Sequence, residues 1–486
     1  MRTSATHPLQ IAELRPSADM GLIGITFCPG KKQPNAATGA WNRDLDVDLD
    51  AIALWGAAAV VTLVEQHELV ALQVSSLGPK VVARHMDWLH LPIADVSVPD
   101  AGFERQWSQV GEGLRARLRD GFNVLVHCKG GLGRAGTIAC RLMIELGMPI
   151  ETAISAVRKA RPGAIETAAQ LAYVRTQKEV AELAPSTTSE AILDRATGAL
   201  LGLAVGDAVG TTLEFKSRDS YPLLTDMIGG GPFGLKAGEW TDDTSMALAL
   251  ADSLSTNRKL DEKDLMHRFV DWHERGTYSC TGSCFDIGIT TRQALSQWKA
   301  SGNPFAGSAS PQTAGNGSLM RLAPVSVAHW RDRAVLRDVA ARQSRTTHAA
   351  PEAVDACVAF AETLADAIEG RRRSEVMRAR QEAYSGVIET IMKGSWRGKP
   401  RSAIRASGYV AHSLEATLWC VARTGSFENA VLKAANLGED ADTTAAITGQ
   451  LSGALYGVTG IPDHWTKRVA WGPRIRGMAQ ALFART

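Results

Sequence analysis

Between Arg195 and Gly210 a glycine returns at every fourth position: Gly198, Gly202, Gly206 and Gly210. Residues four apart share one face of an α-helix. The run therefore predicts a helix carrying a stripe bare of side chains, along which a second helix or a ligand can come close. Close packing explains the glycines. It does not explain Asp207, set within the run, or Glu214, just after it. Two other stretches are acidic in the same way. Trp240-Thr-Asp-Asp-Thr-Ser-Met246 opens a helix that runs on through Leu254, and Asn436-Leu-Gly-Glu-Asp-Ala-Asp-Thr-Thr444 opens an Ala- and Gly-rich helix reaching Gly457. In the second, Asp440 and Asp442 lie one residue apart and a hydroxyl follows. A single stretch of this kind reads equally as a helix cap, with Asp and Thr satisfying open N–H groups. A cap has no need of a second acidic and hydroxyl-bearing run elsewhere. Paired, the two runs offer hard oxygen ligands, which suit Mg²⁺, Mn²⁺ or Ca²⁺ better than Zn²⁺.

At 486 residues the chain is too long for one ordinary domain. Its 45% hydrophobic and 21% charged content is that of a soluble globular protein. Lys and Arg (53) balance Asp and Glu (51), so no global field draws it to nucleic acid or membranes. Seven cysteines are few and odd in number, which fits a reducing compartment and not a disulfide framework. Cys280 and Cys284 are expected in the core, one helical turn apart, with no second Cys/His pair to complete a zinc site. Met1 to Met20 has no continuous apolar core and does not read as a signal peptide. The apolar run Ala51 to Val64 is too short to span a bilayer. A cytoplasmic location is expected.

The first half alternates strand and helix. The Val60-Val-Thr-Leu-Val64 run reads as a buried strand, and the polar residues from Glu65 to Leu69 begin a short helix. A second strand is expected at Trp88–Ile93, a helix over Phe103–Leu118, and a strand over Val124–Val126. After that strand comes His127-Cys-Lys-Gly-Gly-Leu-Gly-Arg134, then a helix through Leu146. A Gly-rich turn from strand to helix aims successive N–H groups inward and makes an anion nest. A thiol at the base of such a nest is readily ionised and nucleophilic. An Arg six residues on can grip two phosphate oxygens.

This segment resembles the signature loop of cysteine-dependent dual-specificity phosphatases, most of all the kinase-associated phosphatase (cyclin-dependent kinase inhibitor 3) group. Leu91-Pro-Ile-Ala-Asp95 and Ala164-Ile-Glu-Thr167 match that group too. The resemblance spans roughly Gly21 to Val180 and implies an α/β fold. It assigns Cys128 as nucleophile, Arg134 as phosphate binder and Asp95 as general acid, with Asp100 as the fallback. His127, Lys129, Gly130, Gly131 and Gly133 would form the rest of the binding loop. One departure stands out: Ala135 occupies the place where these enzymes carry a Ser or Thr that helps the thiolate leave the phosphoenzyme. Thr137 lies on another part of the turn. Slow breakdown of a phosphocysteine follows.

The helical pattern fades after Val180 into Leu183-Ala-Pro-Ser-Thr-Thr-Ser189, a short linker ending in a helix N-cap. Domains are placed at 1–184 and 190–486. The second is mostly helical by pattern. Besides the three stretches above it contains Thr313-Ala-Gly-Asn-Gly-Ser-Leu-Met-Arg-Leu-Ala-Pro324, whose Gly-Asn-Gly turn exposes backbone and an amide. These four motifs, taken in their order along the chain, resemble the ADP-ribosylglycohydrolase family, which includes the dinitrogenase-reductase-activating glycohydrolases. Cys284-Phe-Asp-Ile-Gly288, Thr347-His348 and Ser407-Gly-Tyr-Val410 are smaller matches. The resemblance implies an all-α fold, so the expected fold class is multidomain: α/β first, all-α second. It also implies a centre of two divalent cations, Mg²⁺ or Mn²⁺, held by Thr241, Asp242, Asp243, Asp440, Asp442 and Thr443. It places Glu214 beside the distal ribose as a catalytic carboxylate, Asn316 and Gly317 in the pocket, and Tyr409 over the ligand. Gln312 and Thr313 stand where some arginine-specific relatives carry Asp, which leaves the acceptor linkage open.

The combined expectation is a bifunctional hydrolase. One domain removes ADP-ribose from a protein or other acceptor; the other hydrolyses a phosphorylated substrate through a phosphocysteine. The rival is a regulatory or antitoxin-like binding protein that recognises modified partners without turnover, to which Ala135 gives some weight.

Overall fold

A strand apolar at every position is stable where both faces of a parallel sheet are covered, and Ala57–Thr62 is buried along its whole length. In the computed structural model, which describes residues 1–36, 39–257 and 259–485, it is one of five strands in a single sheet. In chain order these are β1 (Ala12–Leu14), β2 (Ile23–Phe27), β3 (Ala57–Thr62), β4 (Asp87–His90) and β5 (Asn123–Cys128). Their spatial order is β1-β2-β5-β3-β4, with β1 antiparallel and the rest parallel. Alternate residues feed two cores. Ala59, Val61, Val124 and Val126 join one, and Val60 and Leu125 join the other, as the two-residue period of a strand requires. The central strand β5 thus ends at Cys128, at the carboxyl edge where open parallel sheets bind ligands. Around it lie α1 (Gln66–Ala71), α2 (Ala101–Arg119), α3 (Gly133–Glu145) and α4 (Ala168–Arg175).

Residues cluster into two units: Met1–Glu182 with Arg423–Gly425, and Leu183–Ala422 with the chain from Ser426 onward. The second unit has no strand among the described residues, only isolated bridges. Its axis is α5 (Ser189–Gly210), capped by Thr188, which packs against α7 (Ala441–Tyr456); α6 (Asp242–Thr256) begins beside them. The glycine stripe makes that packing possible. A Cβ at Gly198, Gly202, Gly206 or Gly210 would lie 2.3, 2.3, 2.1 or 2.4 Å from the carbonyl oxygens of Gly453, Gly449, Ala445 and Ala441. Those distances are far inside van der Waals contact, so α5 and α7 touch backbone to backbone along three turns. By length and apolarity Ser189–Leu213 could cross a bilayer, a reading the shorter 51–64 run does not suggest; here it is the buried core helix of the unit.

Cys280 and Cys284 are not a helical pair in the core. Both lie half-buried in the loop between the helices Glu262–Arg275 and Ile289–Ser301. Cys280 Sγ donates to Trp240 O, and Cys284 Sγ sits 3.6 Å from His273 Nδ1. The Cys280–Cys284 spacing, read as one helical turn, is interrupted by Gly282 with φ +79°.

Candidate functional sites

In the first unit, β5 delivers His127 and Cys128 to the loop and α3 starts at Gly133. Gly131 has φ +70°, and a Cβ there would meet the Thr26 and Phe27 backbone at 2.5–2.6 Å, so only glycine serves. Its N–H donates to Cys128 Sγ at 3.2 Å. Gly130, by contrast, has open space where a Cβ would go. Arg134 is buried, and α1 explains how it is held. Glu68 accepts from Arg134 Nη1 at 2.5 Å and from Nη2 at 3.0 Å, and Ile93 O accepts from Nη1 at 2.9 Å. Removing Glu68 would leave the buried guanidinium paired only with the half-exposed Asp95, a destabilising change. Asp95 reaches Arg134 Nη2 at 2.9 Å and stands 3.9 Å from Lys129 Nζ while remaining half exposed. The next residue, Val96, has φ +60°, a strained conformation for a β-branched side chain that fixes the turn presenting Asp95.

Asp100, the fallback acid, is occupied otherwise: it caps α2, accepting from Phe103 N at 2.8 Å. His127 is buried and bonded to Thr62 Oγ1 at 2.8 Å. Trp88 Nε1 donates to the same hydroxyl oxygen at 2.9 Å. Burial, with the Arg134 charge nearby, pushes the imidazole down to about 3 and keeps it neutral. Thr137 spends its hydroxyl on Gly133 O at 2.8 Å, so it does not replace the hydroxyl missing at Ala135.

In the second unit the floor of a cleft of about 600 Å³ is acidic. Thr241 Oγ1 lies 2.9, 3.2 and 3.1 Å from carboxylate oxygens of Asp207, Asp243 and Asp442. Oxygens of Asp207, Asp243 and Asp442 all lie within 4.8 Å of one another, as do oxygens of Glu214, Asp440 and Asp442. The two clusters share Asp442. Thr443 adds its N–H to Asp442 Oδ1 at 2.7 Å and its hydroxyl to Asp243 Oδ2 at 3.4 Å. Asp242 lines the cleft wall. The segments 241–243 and 440–443 therefore meet at the starts of α6 and α7, brought there by the α5–α7 contact.

Sequence reasoning singled out Asp207 without a role. It takes four hydrogen bonds, from Thr241 N and Oγ1 and from Thr244 N and Oγ1, at 2.6–3.0 Å. A side chain of α5 thus caps α6 from outside, where Thr241 makes no cap of its own. Glu214 does the same for α7, accepting from Ala441 N at 2.7 Å and Asp442 N at 3.2 Å. Asp286, contained in the Cys284–Gly288 match but given no role there, lines the cleft from that loop.

Burial and mutual repulsion set the electrostatics. Burial first and Asp442 second push Asp207 up to about 7 and Asp440 likewise. Burial and Asp242 push Asp286 to about 11. Glu214, Asp242 and Asp243 are raised as well, chiefly by burial. Asp243 Oδ1 is buried without any hydrogen-bond partner. A set of convergent carboxylates with an orphaned oxygen among them fits divalent cations, whose charge would offset the repulsion and satisfy that oxygen.

Polar groups continue along the cleft. Asn316 Nδ2 donates to Asp440 Oδ2 at 2.7 Å and to Ser413 Oγ at 2.8 Å. His348 packs against Gly315 and Gly317, where an added Cβ would lie 3.2 Å from its Nε2. Its Nδ1 is bonded to Thr347 Oγ1 at 2.9 Å, and burial lowers it to about 3. Tyr409 does not close over this cleft. Its hydroxyl donates to Glu352 at 2.5 Å and its ring borders a separate cavity, while the neighbouring Ser407 and Gly408 line the cleft.

The family model "ADP-ribosylglycohydrolase" matches residues 188–486, and "Swiss Army Knife protein, DSP-PTPase phosphatase domain" matches 42–174. An ADP-ribosylarginine hydrolase, Tri1, of Pseudomonas putida (strain GB-1) is 47% identical over 298 residues, 61% of this chain and 80% of the relative. The ADP-ribosyl-[dinitrogen reductase] glycohydrolase of Rhodospirillum rubrum is 33% identical over 286 residues, 58% of this chain and 92% of that one. A solved structure described as an ADP-ribosylglycohydrolase-related protein complex superposes with TM-score 0.54 at 37% identity, over 60% of this chain and 98% of its own.

Proposed function

Because the chain belongs to the ADP-ribosylglycohydrolase family and carries a dual-specificity-type phosphatase domain ahead of that hydrolase domain, we propose that it hydrolyses ADP-ribose from arginine side chains of modified proteins. The observation that carries this reading is the pair of acidic clusters joined at Asp442 on the cleft floor. The arginine linkage is supported by the 47% identity to an ADP-ribosylarginine hydrolase, even though Gln312 and Thr313 replace the Asp of other arginine-specific relatives.

Two Mg²⁺ or Mn²⁺ ions, when bound, would polarise the distal ribose diol and supply an acidified water for attack at C1″. Thr241, Asp242, Asp243, Asp440, Asp442 and Thr443 would hold them, with Asp207 and Glu214 beside them. The chain's own groups do the positioning. Glu214 is fixed by two backbone N–H groups of α7 and steadies positive charge growing on the ribose. Asn316, clamped between Asp440 and Ser413, presents a rigid amide edge to the ligand. The test is release of ADP-ribose from arginine-ADP-ribosylated protein with Mn²⁺ or Mg²⁺, alongside metal analysis. Fewer than two ions per chain, or no release at saturating metal, would overturn it.

For the first domain we infer phosphate-ester hydrolysis. Cys128 Sγ attacks phosphorus, Arg134 grips two equatorial oxygens, and Asp95 protonates the departing oxygen. Water then cleaves the phosphocysteine, slowly, because Ala135 offers no hydroxyl. A burst of product followed by a slow steady rate is expected with an aryl phosphate; a linear course from the first turnover counts against it.

A further inference from the structure

The cleft is not uniform. Near Asp440 and Asn316 its lining is Gly315, Gly317, His348, Ser407 and Gly408, mostly small residues beside one amide and one imidazole. Glu214, Phe215 and Glu439 form another part of its lining. Phe215 and Glu439 are welded together: Phe215 N donates to Glu439 O at 2.8 Å, and Glu439 N to Lys216 O at 2.7 Å. Both have positive φ, 60° and 62°, which costs on the order of 1–3 kcal/mol each and persists only where the surroundings impose it. Phe215 is left 66% exposed. Its ring meets Phe233 edge-on at 6.2 Å, and Phe233 meets Phe285 at 5.2 Å. Behind this wall a second cavity of about 280 Å³, lined by Thr212, Lys216, Gly231 and Pro232, shares Glu214 and Phe215 with the cleft.

Charge decides which part of the substrate faces which way. A diphosphate is repelled by carboxylates and accommodated by amides and glycine backbone. A guanidinium is drawn to a carboxylate and to an aromatic face. Glu439 is exposed and belongs to neither acidic cluster, with Arg218 as a neighbouring charge, so it does not depend on cations on the cleft floor. Resting on the glycohydrolase reading above, we propose that the Phe215–Glu439 part of the cleft and its side cavity form the acceptor subsite, taking the guanidinium of an ADP-ribosylated arginine and the peptide that bears it. Phe215 stacks on the guanidinium plane and Glu439 pairs with its charge. Lys216, in the side cavity, suits carbonyl or acidic groups of the flanking peptide.

The test uses the full chain with Mg²⁺ and the variants Glu439→Lys and Phe215→Leu. On arginine-ADP-ribosylated protein, kcat/KM should fall about 50-fold for the first and about 5-fold for the second. The Kd for ADP-ribose, measured by calorimetry, should stay within about twofold of wild type. Hydrolysis of a neutral, serine-linked ADP-ribose should change much less. Unchanged kcat/KM on the arginine substrate overturns the subsite, and so does an equal loss of ADP-ribose affinity. If the wild type turns over no arginine substrate, the glycohydrolase reading falls and binding judges the subsite. ADP-ribosyl-arginine held more tightly than ADP-ribose by wild type, but not by Glu439→Lys, supports it; equal affinities overturn it.

Discussion

The phosphate loop and the acidic cleft solve opposite problems. The loop is nearly contiguous, His127 to Arg134, and its charge is balanced by carboxylates of the same fold: Arg134 already has Glu68 and Asp95. The cleft draws on 207, 214, 241–243 and 440–443, and leaves its carboxylates facing one another. A site that brings its own counter-charge is complete as folded. A site that lacks one is completed from solution, and its geometry depends on how distant segments are held.

That contrast can be broken most forcefully at Asp442, the member common to both clusters. Asp442→Ala should lower metal-dependent ADP-ribose release by about 10³-fold, several kcal/mol of transition-state stabilisation. The phosphocysteine burst of the same preparation should be untouched; a matching loss there would mean the variant had misfolded. The next largest effect is expected at the glycine stripe. Gly206→Leu drives a side chain into Ala445 O and should cost the second unit about 3 kcal/mol. In a thermal melt of the full chain its transition should fall by about 6–10 °C, while that of the first unit stays put.

A pH comparison sharpens the view of the loop. His127 is neutral in the fold, at about 3, and takes its proton near 6.5 when unfolded. The unfolded chain therefore binds more protons between those values. Stability is whole above 6.5 and is lost as pH falls through that window. At pH 5 the loss from this residue is about 2 kcal/mol, and His127→Gln should show a correspondingly smaller drop between pH 7 and pH 5. The smallest effect is the most specific. Ala135→Ser restores a hydroxyl beside Cys128 and should raise the steady rate after the burst by about tenfold, leaving the burst itself unchanged.

The same contrast governs what the sequence revealed. The loop was legible because strand, turn and helix lie side by side in the chain. Glu68 was not, since its partner is 66 residues away and a Glu in a short helix carries no mark of it. The glycine period announced a close helix contact but not its partner, although Gly449 and Gly453 repeat the spacing in α7. Asp207 stood out because a carboxylate on a buried helix must be satisfied; that it caps another helix depends on packing that no local pattern encodes. Asp100 and Tyr409 fit motifs equally well by position. Only three-dimensional placement turns one into a helix cap and points the other at Glu352.

The glycine contact has a final consequence. Main chain touching main chain fixes the span between Asp207 and Asp442. Rotamers can fluctuate; two helices in contact along three turns move as one body. The gauge of the catalytic floor is thus inherited from the polymer itself, and a single methyl group in the groove would alter it more than any change among the residues that do the chemistry.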